Sequence, residues 1–132
     1  MAEPVGIVLV SHSGALASGL RDVLLQIGAD NLPVAAAGGT DDGRVGTSYH
    51  RVADAIASVD SGSGVLVLTD LGSAVLTTRA VLADVAAART DVVLVDAPFV
   101  EGAVAAAVIA ATGADLDAVR AAAEEARGAR KF

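Results

Sequence analysis

The chain has 132 residues, a length that suits one domain with a single hydrophobic core, so we assign residues 1–132 to one domain. The absence of cysteine from the sequence excludes disulfide bonds, thiolate catalysis and cysteine-ligated metals. A net charge of -7, one lysine and 2% aromatic residues argue against nucleic acid as a partner, because binding a phosphate backbone needs clustered cations.

The hydrophobic residues, 54% of the chain, fall in short stretches that glycine, aspartate and serine interrupt. The run at residues 103–111 is far shorter than the roughly 18 to 20 residues that a membrane-spanning helix needs. The amino terminus carries Glu3 where a secretory signal would carry positive charge, so we predict a cytoplasmic protein without a membrane partner. Alanine and valine on the helix surfaces provide more apolar area than a small monomer usually exposes, which indicates a homo-oligomer.

The first half of the chain predicts two strands that alternate with two helices. Residues 5–11 form a continuous apolar run, typical of a central parallel strand buried on both faces. A helix follows at once, with Ser13 as its cap, Gly28 at its end, and apolar residues at helical spacing: Leu16, Leu20, Val23, Leu24 and Ile27. Residues 33–37 predict the second strand. The second helix starts near Thr47 or Ser48, and its predicted buried face contains Val52, Ile56 and Val59.

The second half continues the alternation. Residues 65–69 predict the third strand, residues 73–88 the third helix and residues 92–95 the fourth strand. From Val100 onward the chain is predicted to be helical, with a break at Gly113. This alternation predicts an α/β fold with a mostly parallel four-stranded sheet and helices on both faces. For the sheet we expect the common strand order 2-1-3-4.

In such a sheet, ligands bind beyond the carboxyl ends of the strands, which here lead into residues 11–14, 38–40, 70–73 and 97–99. Among these loops, the first contains a side chain that is a nitrogen nucleophile at neutral pH, His12. Free N–H groups at the start of the following helix would attract the anionic oxygens of a phosphoryl group. His12 is therefore a candidate phosphoryl acceptor, although a histidine at a strand end can equally serve to satisfy the local backbone.

Asp70 follows the third strand, which is the neighbour of the first strand in this order, so its carboxylate could reach His12. An aspartate that accepts a hydrogen bond from one imidazole nitrogen fixes the tautomer and turns the other nitrogen outward. Its competing role is to cap the third helix. Backbone amides and hydroxyls in the same loops could donate hydrogen bonds to a phosphoryl group. They belong to Ser13, Gly38, Gly39, Thr40, Gly72 and Ser73.

Other candidate motifs in the sequence lack residues that their chemistry requires. Residues 14–19 have the glycine spacing that opens a P-loop, but no lysine follows, and no dinucleotide-binding glycine pattern follows the first strand. Ser48 follows a loop rather than a strand and is predicted to cap the second helix, while His50 is predicted to be solvated. Two histidines far apart, without metal-ligand spacing, predict no metal site.

These segments resemble a known family. Residues 6–20, GIVLVSHSGALASGL, are similar to the start of the mannose-type IIA domains of the bacterial phosphotransferase system. Three further segments resemble the DhaM group, the phosphoryl-donor subunits of phosphoenolpyruvate-dependent dihydroxyacetone kinases. They are AAGGTDD at residues 36–42 with Gly46 and Thr47, TDLGSA at residues 69–74, and APFVEG at residues 97–102. The resemblance covers nearly the whole chain.

The resemblance implies a homodimer with a mannose-type IIA fold. It implies that His12 takes a phosphoryl group from the carrier HPr and gives it to ADP held on the subunit DhaL, after which dihydroxyacetone is phosphorylated on the subunit DhaK. The nucleotide and magnesium would stay on the partner, so we expect no stably bound cofactor or metal here beyond the covalent phosphoryl group. Asp70 would support the imidazole, and the phosphoryl pocket would be lined by Gly39, Thr40, Gly72 and Ser73, with Ser13 as a further candidate.

Three alternatives stay open at this point. The chain could be the IIA domain of a mannose-type sugar phosphotransferase system, acting on a membrane permease complex. It could be a receiver-type regulator phosphorylated on Asp70, but a receiver needs an acidic pair after the first strand and a lysine near the last strand. Here Ser11, His12 and Ser13 follow the first strand, and no such lysine is present. It could also be a non-enzymatic interaction module in which His12 is structural.

Overall fold

The computed structural model describes residues 3–28, 31–85 and 91–132. Its centre is a four-stranded parallel sheet with the order β2-β1-β3-β4. The strands are β1 (Gly6–Ser11), β2 (Val34–Gly38), β3 (Val65–Thr69) and β4 (Val92–Leu94). The helices are α1 (Gly14–Ile27), α2 (Tyr49–Val59), α3 (Gly72–Val85), α4 (Phe99–Ala110) and α5 (Leu116–Glu125), followed by a 3-10 turn at Ala126–Gly128.

The predicted fold class and strand order are confirmed, and β1 is a central strand, as its continuous apolar run predicts. The element boundaries differ by about one residue in several places. Strand β2 ends at Gly38 and β4 ends at Leu94, while α3 and α4 each begin one residue earlier than predicted. The predicted end of the third helix, at residues 86–88, lies outside the described residues.

Alternation along the strands divides the buried side chains into two cores. Because successive side chains of a strand point to opposite faces of the sheet, Ile7 and Leu9 belong to one core, and Val8 and Val10 to the other. The first core contains residues of α1, α4 and α5, and the second contains residues of α2 and α3. Helices therefore cover both faces, and all six residues of β1 are buried.

The apolar residues of α1 do not all face the core. Ala17, Leu20 and Leu24 are buried, whereas Leu16, Val23 and Ile27 are each a little under half exposed. The helix packs chiefly against β2, β1 and α4, so the residues on its flank remain in contact with solvent. The predicted buried face of α2 is confirmed, because all its predicted members are buried: Val52, Ile56 and Val59.

Thr78 of α3 gives a first prediction, on stability. Its side chain is fully buried, and its Oγ1 has no hydrogen-bond partner among the described residues. A buried hydroxyl without a partner costs free energy, so the isosteric change Thr78→Val should raise the free energy of unfolding by about 1 kcal/mol. Urea denaturation of the two proteins measures this difference. A Thr78→Ser control keeps the hydroxyl and should not be stabilised.

No helix in residues 3–28, 31–85 and 91–132 has the length and apolar character required to cross a membrane.

Candidate functional site

His12 lies in the short connection between the central strand and the first helix. Strand β1 ends at Ser11, and α1 begins at Gly14. Ser13, in extended conformation, caps the helix, and its Oγ accepts a hydrogen bond from the Leu16 N–H at 3.2 Å. The Gly46 N–H donates to the His12 carbonyl oxygen at 2.9 Å. The backbone around His12 is thus fixed by a helix cap and by a neighbouring loop, and its side chain is 19% exposed.

The carboxylate of Asp70 contacts both the ring and the backbone of His12. The parallel pairing of β1 with β3 brings the ends of these strands side by side. Asp70 Oδ1 lies 3.0 Å from His12 Nδ1, and Asp70 Oδ2 accepts from the His12 N–H at 3.1 Å. An aspartate is an acceptor when ionised, so this contact favours the tautomer with the proton on Nδ1 and leaves the lone pair on Nε2.

Two further donors hold the same carboxylate. Ser11 Oγ donates to Asp70 Oδ2 at 2.8 Å, and the Leu71 N–H donates to Oδ1 at 2.6 Å. The Ser11 hydroxyl also accepts from the Ser13 N–H at 3.0 Å. Asp70 precedes the capping position of α3, because the helix begins at Gly72 and the Leu71 carbonyl accepts its first N–H bonds. The contacts of the carboxylate are thus with the His12 loop and with the Leu71 N–H just before the helix.

These contacts decide the charge of Asp70. Burial raises the pKa of its carboxyl, but the hydrogen bonds from Ser11, from the His12 ring and backbone, and from the Leu71 N–H lower it by more, so the net shift is downward. The side chain of Asp70 is 10% exposed, so water screens these interactions only in part. Asp70 is consequently an anion at neutral pH, placed against the imidazole.

A second prediction concerns acid stability. Because the folded-state pKa of Asp70 is below the ordinary aspartate value of 3.8, the stability that this ionised group contributes is fully present above that value and is lost as the pH falls through the lower folded pKa. The difference in free energy of unfolding between the parent chain and Asp70→Asn should therefore shrink below about pH 4. Urea denaturation from pH 3 to pH 7 measures it, and a difference that stays constant would contradict the prediction.

The other imidazole nitrogen faces the loop that starts α3. Ser73 Oγ forms a hydrogen bond with His12 Nε2, and both Ser73 and Gly72 are exposed. Thr47 Oγ1 lies 2.7 Å from Thr77 Oγ1 and donates to the Ser73 carbonyl at 3.4 Å, which ties the loop before α2 to the first turns of α3. The nitrogen opposite Asp70 therefore points towards an exposed hydroxyl at a helix start.

The loop after β2 contacts the site mainly through its backbone. The Gly39 N–H donates to the Ser11 carbonyl at 3.3 Å, and Gly39 has a positive φ of 76°, which glycine adopts readily. Thr40 bonds within its own loop, where its Oγ1 donates to Asp42 and accepts from the Arg44 N–H at 3.0 Å. Among the candidate residues, Asp70 and Ser73 thus contact the His12 ring directly, while the hydroxyls of Ser13 and Thr40 form other bonds.

Gly38 gives a third prediction. A Cβ at this position would lie 2.4 Å from the Ser13 carbonyl oxygen and 2.8 Å from the Gly14 Cα, distances at which the backbone must move. We expect Gly38→Ala to lower the free energy of unfolding by about 1–3 kcal/mol, because it overpacks the start of α1. The matched control is Gly19→Ala in α1, where a Cβ meets nothing within 4 Å and helix propensity should add about 0.5–1 kcal/mol. Equal effects in urea denaturation would contradict this explanation.

The remaining candidates lie away from His12. Ser48 caps α2 and accepts from the Arg51 N–H at 3.2 Å, and His50 is exposed in the first turn of that helix. The loop after β4 lies beyond β3 and borders a cleft of about 520 Å³ whose lining includes Asp70, Leu71 and Ala97. Within the described part of the chain, no group of three His, Cys, Asp or Glu residues could hold a metal ion.

Two contacts at the site were not anticipated from the sequence. Ser11 is the one polar side chain of β1, and a hydroxyl at the end of an otherwise apolar strand could have indicated a hydrogen-bonding role at the site. Gly46 binds the His12 carbonyl, but a glycine in a polar loop carries no such signal because many loops contain one.

The family model and the most similar curated proteins indicate the same family. The family model for the PTS system fructose IIA component, EIIA-man, matches residues 6–120. The phosphoryl donor subunit DhaM of PEP-dependent dihydroxyacetone kinase 1 from Listeria innocua is 39% identical over 107 residues, which is 81% of this chain and 82% of that protein. The phosphotransferase subunit DhaM of Lactococcus lactis is 35% identical over 117 residues, 87% of this chain and 89% of that protein. The DhaM of Escherichia coli is 43% identical over 121 residues, 87% of this chain and 25% of that longer protein.

Solved structures agree on the fold. A crystal structure described as that of an unknown-function protein superimposes with a TM-score of 0.84 at 32% identity, and the match covers 99% of this chain and 98% of that one. A sigma-54 interaction domain protein from Enterococcus faecalis superimposes with a TM-score of 0.63 at 16% identity, over 90% of this chain and 87% of that one, and so supports the fold alone. The matches in sequence and in structure lead to one assignment: the chain belongs to the EIIA-man family of PTS IIA components and groups with its DhaM members.

Proposed function

We propose that this chain is a phosphoryl-donor subunit that carries a phosphoryl group on His12 between two other proteins. The observation that carries the proposal is the His12–Asp70 pair, in which Nδ1 faces the carboxylate at 3.0 Å and Nε2 faces the exposed Ser73 hydroxyl. A ring held in this way presents one nucleophilic nitrogen outward and keeps a negative charge against the other. That arrangement suits a group that must gain a phosphoryl group and then lose it.

The first transfer uses the lone pair of Nε2. We propose that Nε2 attacks the phosphorus of phosphohistidine on HPr, so that a new N–P bond forms while the N–P bond in HPr breaks and its electron pair returns to the donor imidazole. With the proton still on Nδ1, the phosphorylated ring is cationic, and the Asp70 carboxylate stabilises that charge. Ser73 must first release Nε2. After transfer, its hydroxyl and the backbone N–H groups at the start of α3 would bind the phosphoryl oxygens.

The second transfer runs in the opposite sense at the same nitrogen. A terminal oxygen of ADP, held on the partner subunit DhaL, attacks the phosphorus, the P–Nε2 bond breaks, and its electron pair returns to His12. The product is ATP, which then phosphorylates dihydroxyacetone on DhaK. Nucleotide and magnesium belong to DhaL in this scheme, so the group carried here is the covalent phosphoryl group. Gly72 and Ser73 would line its pocket, whereas Ser13, Gly39 and Thr40 would have to exchange their present hydrogen bonds to contact it.

Apolar side chains next to the site support docking by other proteins. Val45 precedes Gly46, which binds the His12 carbonyl, Leu71 follows Asp70, and Leu76 lies one turn beyond Ser73 in α3. All three are more than half exposed. Exposed apolar side chains around a polar reactive group are typical of protein interaction surfaces. The relatives are named as phosphoryl donor or phosphotransferase subunits of dihydroxyacetone kinases, and these names favour transfer to the kinase over transfer to a sugar permease.

The test is a reconstitution with labelled phosphoenolpyruvate, enzyme I and HPr. Label should first accumulate on this chain in a form that acid hydrolyses and base does not, as expected for phosphohistidine. Addition of DhaL with ADP should then discharge the label, and further addition of DhaK and dihydroxyacetone should yield dihydroxyacetone phosphate. A chain that takes up no label, or whose label passes to a sugar-specific IIB domain and not to DhaL, would contradict the proposal.

We also propose that the chain works as a homodimer. The half-exposed side chains Leu16, Val23 and Ile27 of α1 support this proposal, because a monomer would keep them in water. Sedimentation equilibrium at micromolar concentration should give twice the mass of the chain, and a monomeric mass would refute the proposal.

A further inference from the structure

We propose that Ser11 is a positioning residue for transfer at His12: its buried hydroxyl fixes the rotation of the Asp70 carboxylate and thereby the tautomer and direction of the imidazole. This inference rests on the proposed function. Ser11 does not contact the reacting nitrogen, and its effect would pass through Asp70.

The position of Ser11 in β1 requires an explanation. Residues 6–10 of this strand are glycine or apolar, and all are buried. Ser11 is also fully buried. A hydroxyl in such surroundings is costly unless it is hydrogen-bonded, so a small apolar residue would suit the strand better if packing were the only requirement.

The hydrogen bonds of Ser11 have a fixed direction. The Ser13 N–H can act only as a donor, so the Ser11 Oγ accepts from it at 3.0 Å. The single hydroxyl proton then goes to Asp70 Oδ2 at 2.8 Å. Because that carboxylate is acceptor-only when ionised, its contact with His12 Nδ1 requires the proton to be on Nδ1. Hydrogen bonds thus connect the backbone on the carboxyl-terminal side of His12 to its ring, and the donors on both sides converge on the Asp70 carboxylate.

The two carboxylate oxygens depend on different donors. Oδ1 is held by the Leu71 N–H and the His12 ring, whereas Oδ2 is held by Ser11 and, at the longer distance of 3.1 Å, by the His12 N–H. Without the Ser11 hydroxyl, Oδ2 keeps the weaker of its two bonds and the carboxylate can rotate. Oδ1 would then leave its position opposite Nδ1, and the Nε2–H tautomer, which blocks the attacking nitrogen, would become populated.

The chain provides a closely matched control in Ser48. Like Ser11 it is a buried serine, although it caps a helix instead of ending a strand. Its hydroxyl also donates to an aspartate, Asp41, and its Oγ also accepts from a backbone N–H, that of Arg51. Ser48→Ala removes the same set of bonds without touching Asp70 or His12. It therefore measures the cost of losing a buried serine in this fold.

The experiment compares Ser11→Ala, Ser11→Cys and Ser48→Ala, all in a His50→Ala background so that one histidine remains. The cysteine variant conserves volume but offers a weak donor, so it separates the lost hydrogen bond from a cavity. Imidazole nitrogen–proton correlation spectra above pH 8 report the His12 tautomer without any phosphoryl donor. Initial rates of labelling from phosphorylated HPr report transfer, and carbon NMR titration reports the pKa of Asp70.

We expect Nδ1–H to dominate in the parent and in Ser48→Ala. Both Ser11 variants should show a clear Nε2–H population, a raised Asp70 pKa and labelling about tenfold slower. Parental tautomer in both folded Ser11 variants, or slowing no greater than in Ser48→Ala, would overturn the positioning role. A parent chain that takes up no label would refute the proposed function instead, and the tautomer spectra would still decide whether Ser11 orients the ring.

Discussion

Replacing His12 by alanine is expected to abolish phosphoryl uptake, with label on the chain falling at least about 1000-fold, to background. The reason is chemical: among the residues in contact at the site, Nε2 of His12 is the nitrogen with an available lone pair. The hydroxyl of Ser73 loses its imidazole partner in this variant, and a serine hydroxyl is a weak nucleophile unless such a base activates it. Phosphorylation by labelled phosphoenolpyruvate, enzyme I and HPr, followed by gel autoradiography, measures the result.

The other histidine is the control for this experiment. His50 is exposed in α2, and its ring contacts Tyr49 edge-on, with ring centroids 5.8 Å apart. His50→Ala should therefore be labelled like the parent. Label retained by His12→Ala at the parental level would end the assignment of His12. If that label were lost in base, as an acyl phosphate is, the phosphoryl group would be on a carboxylate.

Replacing Asp70 by alanine is expected to leave the fold intact and slow transfer by about 100-fold. Two effects act together. The ring loses the acceptor that holds the proton on Nδ1, and the cationic phosphorylated ring loses the negative charge that stabilises it. Because Ser11, His12 and Leu71 lose an acceptor as well, we also expect the free energy of unfolding to fall by about 1–3 kcal/mol. Labelling rates and urea denaturation measure the two consequences separately.

Asp54→Ala is the matched control, since Asp54 is an exposed aspartate on α2. It should change neither the labelling rate nor the stability by much, because exposed charges contribute little. If Asp70→Ala were labelled at the rate of Asp54→Ala, Asp70 would be a structural residue and the tautomer argument would be wrong. Asp70→Asn, which keeps the volume, should be slow as well, because an amide is uncharged.

Some features of the fold follow from short-range sequence patterns, and others do not. The apolar run of β1 predicted a central parallel strand because a strand buried on both faces has no place for polar side chains. Ser13 and Ser48 were recognisable as helix caps, since capping depends on neighbours only three residues away. The half-exposure of Leu16, Val23 and Ile27 could not be predicted, because helical spacing does not state which part of an apolar stripe the neighbouring elements cover.

Hydrophobic period and local turn residues are short-range properties of the chain, and they were enough to predict the fold class and the loops at which chemistry could occur. The strand order 2-1-3-4 is expected as the common order for such sheets, and the strand pairing confirms it. Which groups meet depends on long-range packing: Ser11, His12, Asp70 and Ser73 are up to 62 positions apart by number and share one hydrogen-bond network. Their contacts arise from the parallel pairing of β1 with β3, which brings the two strand ends into register. That packing sets the rotation of the side chains and the direction of their hydrogen bonds. It therefore determines which ring nitrogen faces the carboxylate and which one faces Ser73.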